Sequence, residues 1–124
     1  LSGGPEPVEP PLFTAELQFD SYQSYTKRHA LYPKTTGLLY TTLGLAGEAG
    51  EVANQVKKAV RDDGGTVTPA RLDALRDELG DVLWYLAAVA REAGLTLSEI
   101  AAANLSKLDA RKEAGTIRGS GDHR

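Results

Sequence analysis

Two stretches decide the fold of this chain: Leu45-Ala46-Gly47-Glu48-Ala49-Gly50-Glu51-Val52 and Leu75-Arg76-Asp77-Glu78-Leu79-Gly80-Asp81-Val82. Each carries two carboxylates three residues apart, the spacing that places side chains side by side on one helix face. Glu48 stands three residues after Leu45 and four before Val52, and Glu78 has the same relation to Leu75 and Val82. Both acids therefore interrupt the apolar stripes by which helices pack. Glu51 and Asp81 each fall one position before an inner valine. Carboxylates in such places are costly unless paired or metal-bound. Four of them on the inner faces of two helices point to a shared cation.

Working outward, the periodicity continues on both sides. Leu38, Leu45, Ala49, Val52 and Val56 give a helix from about Thr36 to Val60. Gly44, Gly47 and Gly50 each cost it roughly 1 kcal/mol against Ala, so close approach of a neighbouring helix or a ligand is expected there. Leu72, Leu75, Leu79, Val82, Leu86 and Val89 give another, opened by Thr68-Pro69 and stopped at Gly94. Arg61 to Val67, with Asp62-Asp63-Gly64-Gly65, reads as the loop between them. An earlier helix is expected from Thr14, as N-cap, to about Ala30, with Leu17, Tyr22 and Tyr25 inward and Pro33 beyond its end. Thr96-Leu97-Ser98-Glu99 has the form of a capping box opening a last helix that runs to about Ala114, before Gly115. No segment alternates as a strand would. The expectation is an all-α four-helix bundle over residues 13–115, a Pro-rich arm over 1–12 and a Gly-rich tail over 116–124.

Composition narrows the function. The chain has 124 residues, one domain by length, and a net charge of −3, which argues against a general nucleic-acid binder. It has no cysteine, so no disulfide framework and no soft-metal site, which fits a reducing cytoplasm. No apolar run is long enough for a membrane span, and the first residues lack the basic and apolar blocks of a secretory leader.

The two histidines, His29 and His123, lie outside the acidic helices. The Glu-x-x-His pairs of di-iron bundles are therefore missing, and oxygen-only ligands favour Mg²⁺ or Mn²⁺. Mg²⁺ keeps several waters and shares its coordination with substrate phosphates. Asn104, Lys107 and Arg111 fall on one face of the last helix, where a Lys and an Arg one turn apart suit an oligophosphate. Trp84 reads first as core and second as a partner on which a base could stack.

These residues together resemble the MazG-type all-α nucleoside triphosphate pyrophosphohydrolases. The resemblance lies in Glu48-x-x-Glu51, in Glu78-x-x-Asp81 within Asp77-Glu78-Leu79-Gly80-Asp81-Val82-Leu83-Trp84-Tyr85-Leu86, and in Asn104-Leu105-Ser106-Lys107-Leu108 with Arg111. It implies Mg²⁺-dependent hydrolysis of a nucleoside triphosphate to monophosphate and pyrophosphate, a house-cleaning role, and homo-oligomers, either dimers or tetramers. Glu48, Glu51, Glu78 and Asp81 would hold the metal, with Glu48 the first choice and Glu51 the second to deprotonate the water. Asn104, Lys107 and Arg111 would bind the phosphates. The chain departs from many members at Gly47, where they carry a further Glu. Two alternatives stand beside this reading: a phosphoribosyl-ATP pyrophosphohydrolase, and a non-catalytic metal-binding helical module.

Overall fold

A computed structural model of the chain describes residue 13 and residues 16–115. Among these residues there are four α-helices and no strand: α1 (Phe19–Thr26), α2 (Gly37–Asp62), α3 (Pro69–Glu92) and α4 (Leu97–Glu113). Single 3-10 turns cover Lys27–His29 and Lys34–Thr36. The all-α class and the four helices agree with the sequence. The expected arm and tail lie outside the described residues.

The two long helices form an antiparallel hairpin and supply most of the tertiary packing. Its turn follows the breakers: Gly64 and Gly65 take positive φ values of 65° and 82°, and the Gly65 N–H donates back to Ala59 O at 3.0 Å. The Thr68 side chain then accepts from the Arg71 N–H at 3.2 Å, capping α3, with Pro69 in its first turn. Arg71 spans the hairpin, donating to Asp63 at 3.0 Å and to Gln55 at 3.1 Å. Higher up, Gly44 lets the helices close. A Cβ there would lie 2.1 Å from Cε1 of Tyr85, so the ring occupies the space a side chain would need. Gly47 and Gly50 do not share this role, since a Cβ at either would meet nothing within 4 Å.

Helix α1 is shorter than the periodicity suggests. It starts at Phe19, after Gln18, and its regular part ends at Thr26. Thr14, the expected cap, lies outside the described residues. Its buried residues are Gln23 and Thr26, while Leu17 precedes the helix and is exposed, and Tyr22 and Tyr25 are half-buried. The reason is the junction that α1 covers. Where α3 ends and α4 begins, backbone groups lack helical partners. The Gln23 amide supplies them, donating to Leu95 O at 3.0 Å and accepting from the Leu97 N–H at 3.0 Å, and it also reaches Ala87 O, within α3, at 3.3 Å. Apolar side chains could not do this.

Helix α4 opens with the expected capping box: Thr96 Oγ1 accepts from the Glu99 N–H at 3.1 Å, and Glu99 accepts from the Thr96 N–H at 2.7 Å. Asp20 of α1 adds a third acceptor, for the Ser98 N–H at 3.0 Å. Helix α4 packs against α1.

The buried apolar residues fall into two small clusters. Ala30, Tyr32 and Ala88 pack with Trp84; Ala87, Ala90 and Leu97 pack with Tyr22 and Ile100. The long stripes are only partly covered. Leu45, Val52, Leu75, Val82 and Val89 are half-buried, whereas Leu38, Ala49, Val56, Leu72, Leu79 and Leu86 are exposed, contrary to their expected inward placement. Leu39, Leu43 and Val60 are more than 60% exposed (62%, 65% and 66%). One copy of the chain has too few elements to cover both sides of its hairpin. Among the described residues, no helix is long and apolar enough to cross a membrane.

Candidate metal centre

The closing of α2 on α3 at Gly44 brings the acidic pairs together. Glu48, one turn beyond Gly44, meets Glu78 and Asp81, one turn apart on α3. One carboxylate oxygen from each lies within 4.8 Å of the others. Among the described residues this is the one such group of possible metal ligands. Glu48 and Glu78 are half-buried and Asp81 is exposed, so the cluster sits at the wall of the hairpin with access to solvent. Glu51, one turn along α2, is exposed and stands outside the triad.

The electrostatics match the geometry. Burial pushes the Glu48 carboxyl above its ordinary pKa, and the charges of Asp81, Glu78 and Glu51 push it further. All the charges acting on it are carboxylates. The ion pairs of the hairpin, Arg61–Asp62, Arg71–Asp63 and Arg76–Asp73, lie elsewhere. Converging carboxylate oxygens that repel one another fit a hard divalent cation, because the ion supplies the charge the site lacks and accepts oxygen donors alone.

An aromatic layer closes one side of the cluster. Tyr85 stands one turn past Asp81; burial raises its pKa, followed by the neighbouring Tyr40, Glu48 and Asp81. Tyr40 stacks on Tyr32 with centroids 5.5 Å apart, and Tyr32 meets Trp84 edge-on at 6.4 Å. Sequence reasoning gave Tyr85 no role. Its spacing of four from Asp81 was the available signal, but its partner Tyr40 depends on the helix register, which spacing does not supply.

The α4 residues lie elsewhere in the chain. Asn104 lines a cavity of about 260 Å³ with Phe19, Leu83 and Leu86. Leu83 is two residues past Asp81, roughly 200° around the helix, so Asn104 sits on the opposite side of α3 from the triad. Lys107 and Arg111 follow on the same helix, the first exposed and the second half-buried.

The family profile described as the MazG nucleotide pyrophosphohydrolase domain matches residues 37–116, a span that contains both acidic pairs and the α4 residues. Gene 37 protein of Mycobacterium phage L5 is 46% identical over 114 residues, covering 87% of this chain and 100% of the phage protein. No solved structure matches.

Proposed function

Because the chain belongs to the MazG nucleotide pyrophosphohydrolase family, we propose that it hydrolyses a nucleoside triphosphate to the monophosphate and pyrophosphate, with Mg²⁺ as cofactor. The observation that carries this reading is the convergence of Glu48, Glu78 and Asp81 across the hairpin. These three would hold the ion, Mg²⁺ or Mn²⁺. A bound divalent cation neutralises phosphate oxygens and acidifies water. Glu51 is next to the triad but outside it, which supports giving it the proton of the attacking water ahead of Glu48, the first choice from sequence. Glu48 is the second choice, since its place in the triad commits its oxygens to the ion. Water adds at the α- or the β-phosphorus and the anhydride bond between them breaks, its electrons leaving with pyrophosphate in the first case and with the monophosphate in the second.

Asn104, Lys107 and Arg111 are proposed as the phosphate clamp. Asn104 lines the cavity beside Leu83, across α3 from the triad, which supports a clamp that serves the triad of a second copy and a homo-oligomer, dimer or tetramer, as the working form. The uncovered leucines and valines of α2 and α3 support this reading. A house-cleaning role in the cytoplasm is proposed with this activity. The test is pyrophosphate release from the canonical and several modified triphosphates, after chelation and after return of Mg²⁺ or Mn²⁺. Release that needs the metal is expected. No release from any triphosphate in either metal would overturn the proposal.

A further inference from the structure

We propose that Glu92, at the end of α3 away from the hairpin turn, is a positioning residue for the metal centre. Seated on Gly37 and held by the Tyr32 hydroxyl, it fixes the register of α2 on α3 that sets Glu48 against Asp81. This rests on the metal reading of the acidic site.

The two long helices pass each other in one register. Glu92 faces Gly37, where a Cβ would lie 2.1 Å from Glu92 Oε1. Seven residues on along α2 and seven back along α3, Gly44 faces Tyr85, where a Cβ would lie 2.1 Å from Cε1. Four residues further on each helix, Glu48 meets Asp81. Thr41 and Ala88, both 0% exposed, fall between the first two levels. At two levels of this seam a large α3 side chain fills the space an α2 glycine leaves, and the third level is the metal centre.

Glu92 does not serve its own helix. It is the last residue of α3, where a negative charge opposes the helix dipole. That charge suits the start of α2, where Thr36 makes no side-chain cap and the first turn holds no acid. Its second anchor is the buried Tyr32, whose hydroxyl donates to Glu92 Oε2 at 2.6 Å. The Tyr32 ring in turn stacks on Tyr40, one turn before Gly44 on α2. Glu92 thus grips α2 at Gly37 and, through Tyr32, at Tyr40. The turn at Gly64 and Gly65 closes one end of the hairpin, and this contact closes the other.

Register matters because the three acids repel one another and the ion is exacting. Mg²⁺ takes oxygens at about 2.0–2.1 Å in near-octahedral geometry. One residue's slide along a helix is about 1.5 Å, enough to spoil such a site. An apolar contact tolerates a slide of that size, whereas a directional hydrogen bond to a carboxylate resists it. Glu92 lies about 16 Å along α3 from Asp81, so it acts through the packed seam and not by touching the ion.

The test follows Mn²⁺ binding to the intact, chelated chain by the electron paramagnetic resonance of the free ion. It is run at a temperature where circular dichroism shows each variant folded. Glu92→Ala removes the carboxylate, and Tyr32→Phe removes only its donor. Gly37→Ala keeps both but displaces the carboxylate, the movable end of a flexible side chain. Each should weaken Mn²⁺ binding by about 2- to 30-fold. Should one fail to fold, the other two decide. Glu92→Gln, which keeps an acceptor for Tyr32, should recover most of the loss. Gly37→Ala should cost nothing more in the Glu92→Ala background, because its Cβ then has room. Wild-type affinity in the folded variants, even with lowered melting points, would overturn the positioning role and leave the metal centre standing. Losses that simply add in the double variant would do the same. Failure of the wild type to bind Mn²⁺ would overturn the metal centre and the role together. Weakened binding in the variants of a chain that releases pyrophosphate from no triphosphate would uphold the role and remove the hydrolase reading.

Discussion

At the scale of the residue, Glu48 carries the sharpest consequence. Its carboxyl is raised above the ordinary range by burial and by three neighbouring acids. A raised folded-state pKa means that the folded chain binds the Glu48 proton more tightly than the unfolded chain. Between the ordinary carboxylate pKa and the raised one, the folded state therefore carries more protons. Stability falls as pH climbs through that window, and the loss is complete above it. Metal-free protein should melt at lower temperature at neutral pH than in mild acid, as far as this group decides. Glu48→Gln should flatten that slope and raise the melting point of the chelated protein at neutral pH, because a like-charge cluster loses one member. Added Mg²⁺ should stabilise the wild type and do little for the variant. Glu48→Gln, Glu51→Gln, Glu78→Gln and Asp81→Asn should also each nearly abolish pyrophosphate release while leaving the circular dichroism of the helices intact. Near wild-type turnover in any two of the four at saturating Mg²⁺ would show that the cluster is structural.

At the scale of the element, the glycines of α2 separate by what surrounds them. Gly44→Ala places a Cβ 2.1 Å from the Tyr85 ring, so α2 and α3 must part or the ring must turn. Overpacking of this kind costs about 1–3 kcal/mol, and here it also disturbs the level at which Glu48 meets Asp81. Gly47→Ala and Gly50→Ala meet nothing, and each should gain roughly 1 kcal/mol in helix propensity within a single chain. Denaturant unfolding of the three variants checks the order. The sequence showed that three glycines in one helix needed a reason, but not which one had it. That depends on register between helices, which a period along one chain cannot reveal. Features set by local chemistry were legible: the Thr68 and Thr96 caps, the Pro69 start and the Gly94 stop. So were the members of the acidic triad, since spacing puts Glu78 beside Asp81 and the stripe puts Glu48 inward. The inner face of α1 was not legible. Gln23 is buried to satisfy backbone groups of the α3–α4 junction, more than 70 positions away (|i−j| = 72 to Leu95), and nothing in its neighbours marks it.

At the scale of the whole molecule, the apolar surface and the split between acids and cations lead to one arrangement. Leu39, Leu43 and Val60 on α2 and Leu72 and Leu79 on α3 are at least half exposed (62%, 65%, 66%, 50% and 50%), so both long helices carry apolar surface that a second copy would cover. The clamp is proposed on α4, whose Asn104 lies across α3 from its own triad, so it would act across such an interface. Two-fold assembly would then give two equivalent sites, each combining the acids of one chain with the cations of the other. Light scattering should give a multiple of the 13.2 kDa chain mass. The decisive measurement is complementation. Asp81→Asn and Lys107→Ala should each be inactive alone. If the clamp acts across the interface, mixing equal amounts and allowing exchange gives mixed dimers in about half of the assemblies, each with one intact site. Activity should return to about a quarter of the wild-type level. If the clamp acts within one chain, every site in the mixture carries one defect and no activity returns. A monomer mass, or a mixture that stays dead after proven exchange, would rule out a clamp acting across an interface, and wild-type turnover in Lys107→Ala alone would place the phosphate-binding cations outside α4.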